Sequence, residues 1–124
     1  MTCRTRLILF LTLETLLFVT ASLVHANIFV AGYEHGRAAT AEGMIGAVLA
    51  LGLIASLMRP APVPIVALTV QGFALLGTLV GAFTIAIGVG PQTHADLVFH
   101  VILLLVLISG IIVAWWCHAS DVYA

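Results

Sequence analysis

Four long apolar runs, divided by short breaks rich in Gly, Pro and charged residues, make up most of this chain. They fall at about 7–31, 38–58, 64–88 and 97–117. Each reaches the ~20 residues with which an α-helix crosses a ~30 Å hydrocarbon core. Backbone in lipid must satisfy its own hydrogen bonds, so runs of this length predict helices. The alternation of apolar and polar residues that marks a membrane barrel is missing. The pattern predicts an all-α fold: one four-helix transmembrane domain over 1–124, an integral membrane up-down bundle.

Composition agrees with the pattern. Of 124 residues, 63% are hydrophobic and 7% charged, against about 25% charged in soluble domains. A net charge of −1 and the lack of any basic run argue against nucleic acid as a partner. The lipid bilayer is the first expected partner, with other membrane subunits or further copies of the chain next.

Arg4 and Arg6 precede the first run, and Val24-His25-Ala26 has the small-residue form of a signal-peptide cleavage site. The run exceeds the usual ~7–15 residues of a signal core and contains Glu14, so it reads as a retained helix. Arg4, Arg6 and Arg59 flank one side of the spans and Arg37 alone the other. Positive charge favours the cytoplasmic side, so both termini are expected there. The layout suits a multi-pass protein of a bacterial inner membrane. Trp115, Trp116 and Tyr123 fit an interfacial belt at the end of helix 4. Cys3 and Cys117 would then face a reducing compartment, and neither has a CxxC partner. No structural disulfide is expected.

Each helix carries polar or small residues with a pattern. In helix 1, Glu14 and His25 lie eleven residues apart, within ~20° of one face, with Phe18, Ala21 and Ile28 on the same stripe. A charge at mid-membrane costs ~2.5–3.5 kcal/mol on insertion scales. Glu14 therefore needs a partner, and Gln71 in helix 3 is at a comparable depth; the two read as a buried packing bond or as a proton or quinone site. Gly43 and Gly46 in helix 2, and Gly77 and Gly81 in the GTLVG of helix 3, are small-xxx-small sites for close helix packing, within the bundle or between chains. Glu42 lies near a helix N-terminus, where the dipole favours a negative charge. Pro60, Pro62 and Pro64 make a stiff link between helices 2 and 3. Thr93 or Asp96 caps helix 4.

Four of the five histidines gather toward the side opposite the termini: His25, His35, His94 and His100. In an up-down bundle helix 1 neighbours helices 2 and 4, so His25, Glu42 and His100 can converge there with Asp96. Imidazole and carboxylate together suit a transition metal, and two histidines on facing helices suit haem b. The same groups also suit a purely structural hydrogen-bond network. His35 and Glu34 belong to an exposed loop. No nucleophile motif or phosphate loop supports catalysis. The sequence therefore reads as a small membrane subunit, accessory to or carrying the cofactor of a membrane redox complex, with electron transfer as its setting. The alternatives are an assembly subunit acting through helix contacts, and a small enzyme or carrier for a lipophilic substrate such as a quinone.

Overall fold

The computed structural model describes residues 1–59 and 63–122. Four helices account for nearly all of them: α1 (Cys3–His25), α2 (Gly36–Met58), α3 (Val63–Ala86) and α4 (His94–Val122). Each is long and apolar enough to cross a membrane. Pro60, Pro62 and Tyr123 lie outside the described residues.

α1 stops earlier than its hydropathy predicts. Apolar residues continue through Ile28-Phe29-Val30, but Asn27 takes φ +61° and turns the chain. The amides of Ile28 and Phe29 both return to the Leu23 carbonyl, and Gly32 donates to the Asn27 side chain. His25 is therefore the last residue of α1 and not a position well below its end. Ile28 leaves the helix stripe altogether and is exposed. The loop closes where the His35 amide donates to the His25 carbonyl at 2.9 Å.

His35 then caps α2, its Nδ1 accepting from the Ala38 amide at 3.2 Å. α3 ends just before Gly88 at φ +79°, and the amides of Val89 and Gly90 return to the Thr84 carbonyl. α4 starts with a reciprocal cap. The Asp96 amide donates to Thr93 Oγ1, and the Thr93 amide donates to Asp96 Oδ2, which satisfies two donors that the helix leaves free.

The helices touch in a ring, α1–α2–α3–α4–α1, and α1 also meets α3 across it. Leu7, Leu11, Leu49, Leu103 and Leu107 fill the centre. Glycines set the close approaches. A Cβ on Gly43 would meet Ser22 Oγ, one on Gly46 would meet Val19, one on Gly77 would meet Ile45 and one on Gly81 would meet His100. The glycine face of α3 therefore packs against α2 and α4 of its own chain. Outward faces stay apolar, as at Leu16, Leu51, Leu76 and Leu105, each at least 60% exposed. In water such faces would be a liability; in a bilayer they contact lipid.

At the end that carries Cys3, a disulfide joins it to Cys117, with Cα atoms 5.8 Å apart. This corrects the expectation of free thiols. That expectation came from the compartment, whereas the fold brings the start of α1 against the end of α4. Arg4 at the same end donates to the carbonyls of Ser56 and Leu57, closing the last turn of α2.

Candidate functional site

The opposite end of the bundle holds a hydrogen-bonded chain across three helices. His25 ends α1, Glu42 lies in the second turn of α2 and Asp96 in the first turn of α4. His25 Nδ1 is 2.7 Å from Glu42 Oε2, and His25 Nε2 is 3.0 Å from Asp96 Oδ1. All three side chains are at least nine-tenths buried. The cap of α4 orients the acid: Thr93 holds Asp96 Oδ2 through its amide and its hydroxyl, leaving Oδ1 for His25.

Counting protons defines this chain. Two hydrogen bonds between two carboxylates and one imidazole need two protons. An imidazolium between two carboxylates supplies them, and so does a neutral imidazole with one carboxyl protonated. Both arrangements have a net charge of −1. They differ only in which heavy atom holds a proton.

His100 stands beside this group and makes a different bond. Its Nδ1 lies 2.9 Å from the Asp96 backbone carbonyl, which can only accept. Nδ1 therefore carries hydrogen, and in the neutral ring Nε2 has a free lone pair. That nitrogen faces Gly81 of α3, 3.1 Å from where a Cβ would sit.

His100 also lines a cavity of about 240 Å³ bounded by residues of all four helices. Phe18, Ile45 and Leu103 give it apolar walls, with Glu42, Thr78 and His100 as buried polar points. Ala41 and Val80 are exposed on the flanks of α2 and α3 and belong to its rim. A second, more open cleft of about 340 Å³ lies between the two loops at this end. His25 and Asp96 line it, with His35 and Gln92. The carboxylate–histidine chain thus has Glu42 on the cavity and Asp96 on the cleft.

His25, Glu42 and Asp96 come together as their placement on the helices predicts, but they bond to one another. Both nitrogens of His25 are taken by carboxylates, and the ring nitrogens of His25 and His100 do not share one pocket as a haem pair would. Among the described residues no three His, Cys, Asp or Glu side chains are arranged to hold a metal ion. Sequence reasoning passed over His35, which caps α2, lines both spaces and packs edge-on against His25 with ring centroids 6.3 Å apart. Histidine is an uncommon cap, so only its position just before the helical pattern signals that role.

At mid-span, Gln71 Nε2 donates to both Glu14 oxygens, at 2.9 and 3.1 Å. Gly110 of α4 leaves the room: a Cβ there would collide with both side chains. The pair is fully buried and opens on neither cavity. The chain matches no family model, and comparison with curated proteins and with solved structures finds no match.

Proposed function

We propose that this chain is an up-down four-helix protein of a bacterial inner membrane, and that it binds a small apolar molecule bearing a hydroxyl group, of the quinol or phenol class. It would serve as an accessory component of a membrane redox system. The observation that carries this reading is the bond that holds His100 Nδ1 on the Asp96 carbonyl while His100 lines an apolar cavity, so that the neutral ring keeps the lone pair of Nε2 for a ligand. A lone pair there calls for a donor. Once a ligand covers this nitrogen, an acceptor left without a donor costs ~1–3 kcal/mol, so a ligand hydroxyl gains at this position what an ether or carbonyl does not. The exposed rim at Ala41 and Val80 gives such a ligand a route from the bilayer.

The up-down arrangement is supported by contacts at both ends. The start of α1 meets the ends of α2 and α4 through Arg4 and Cys3, and the end of α1 meets the starts of α2 and α4 through His25. Arg4, Arg6 and Arg59 favour the cytoplasm for the end with the termini. The haem reading is less well supported, since ligation by His25 requires breaking one of its carboxylate bonds.

Equilibrium dialysis of the detergent-solubilised protein against duroquinol and against its dimethyl ether tests the proposal. It predicts saturable binding of one quinol per chain, weaker by about tenfold for the ether and for His100→Phe, the equivalent of ~1.4 kcal/mol. Equal binding of quinol and ether, or no saturable binding, overturns it. A Soret band in the purified protein would favour haem instead.

A further inference from the structure

We infer that Glu42, His25 and Asp96 form a proton relay that joins the apolar cavity to the cleft between the loops. Three observations carry this. The three residues are linked end to end by hydrogen bonds of 2.7 and 3.0 Å. The two ends of the link open on different spaces, Glu42 on the cavity and Asp96 on the cleft. Thr93 occupies Asp96 Oδ2 and so fixes Oδ1 toward the imidazole.

The step moves protons only. With Glu42 protonated on Oε2 and His25 protonated on Nε2, the Oε2 proton passes to Nδ1 while the Nε2 proton passes to Asp96 Oδ1. One O–H and one N–H bond break, and one N–H and one O–H bond form. The charge stays at −1 and no electrons move. The intermediate is the imidazolium between two carboxylates, which holds the same two protons. Asp96 then releases its proton to water in the cleft. In the reverse direction Asp96 takes a proton from that water and passes its Oδ1 proton to Nε2 while the Nδ1 proton returns to Glu42 Oε2, which restores Nε2–H without turning the ring. Glu42, so reloaded, exchanges protons with a hydroxyl group in the cavity.

Other ionisable groups stand around the relay without joining it. His35 packs on the His25 ring from the α1–α2 loop, Arg37 lines the cavity from α2, and His100 lines it from α4. Tyr33 and Glu34 line the cleft. The wall that α3 contributes to the cavity holds Thr78 and Thr84 and no ionisable side chain.

The relay rests on the cavity reading only for what gives Glu42 its proton, so the test needs no ligand. The full chain in detergent is taken through a rapid pH jump and followed by time-resolved infrared spectroscopy. The carboxyl band of Glu42 is the one lost in Glu42→Gln. The relay predicts that this band relaxes at least about tenfold more slowly in His25→Gln and in Asp96→Asn, by the usual scale of a positioned acid or base. It also predicts slower relaxation of the wild-type band in D2O than in H2O, which needs no variant to fold. An unchanged rate in either folded variant, or no isotope effect in the wild type, overturns the relay. Failed quinol binding with an intact relay signal overturns the cavity reading alone.

Discussion

His25 Nδ1 lies 2.7 Å from Glu42 Oε2, across seventeen residues of sequence, and this bond ties the last residue of α1 to the second turn of α2. The opposite nitrogen ties the same ring to Asp96 of α4. Removing the imidazole leaves two buried acids facing each other. His25→Leu is expected to destabilise the bundle by ~3–5 kcal/mol, the cost of breaking a buried charged pair by deleting one partner. Asp96→Asn keeps an acceptor for the Thr93 amide and should cost less. Thermal unfolding in one detergent, monitored by circular dichroism, checks the order.

The mid-span pair depends on a missing side chain. A Cβ on Gly110 would lie 2.5 Å from Glu14 Oε1 and against Gln71 Nε2. Gly110→Ala should cost ~1–3 kcal/mol through overpacking. In a background with both Glu14→Ala and Gln71→Ala the obstacles are gone, and the same change should cost little. A double-mutant cycle on unfolding free energy reads the difference, and additive costs would refute the assignment.

Glycines of α2 and α3 should divide by what they face. A Cβ on Gly52 would sit 2.7 Å from Val70, and one on Gly77 would sit 2.6 Å from Ile45, while one on Gly72 meets nothing within 4 Å. Gly52→Val and Gly77→Val are expected to lower the melting temperature of the isolated chain, and Gly72→Val to leave it near wild type. This outcome separates packing inside one bundle from packing between copies, because it appears in the monomer.

Two rules disagree about the end that holds Cys3 and Cys117. Its arginines favour the cytoplasm, whereas disulfides persist in oxidising compartments. With the termini in the cytoplasm, the two cysteines are reduced in growing cells and close into the disulfide on purification in air. Acid-quenched cells alkylated before lysis should therefore give a chain with two modified cysteines by mass spectrometry. A chain with none would place this end on the oxidising side. Once closed, the link spans 114 residues. Cys3→Ser should lower unfolding stability by at most ~4.7 kcal/mol, the chain-entropy figure for a 100-residue loop.

The sequence was most informative where hydrophobicity governs structure. Four apolar runs yielded four helices, since length and composition alone decide whether a segment crosses lipid. Glu14 and Gln71 could be paired on depth, because a buried acid must find a partner. Helix ends were less legible. Hydropathy continues past His25, and only the left-handed Asn27 stops α1. Histidine and carboxylate patterns place residues at one level of a bundle but do not say whether they face a ligand or each other. That choice depends on ring orientation, which local bonds such as His100 Nδ1 to the Asp96 carbonyl determine. The role of Gly110 was invisible because it consists of space left for residues on two other helices.

If the cavity beside His100 holds a ligand, a side chain at Gly81 should displace it. A Cβ there would sit 3.1 Å from His100 Nε2, so a valine crowds that nitrogen and takes up cavity space while the histidine itself is retained. The measurement is saturation binding of duroquinol to wild type, Gly81→Val and Gly72→Val under one detergent condition. Wild type and Gly72→Val should each show one site per chain, and Gly81→Val at least about tenfold weaker binding. Equal affinity in all three proteins would contradict it.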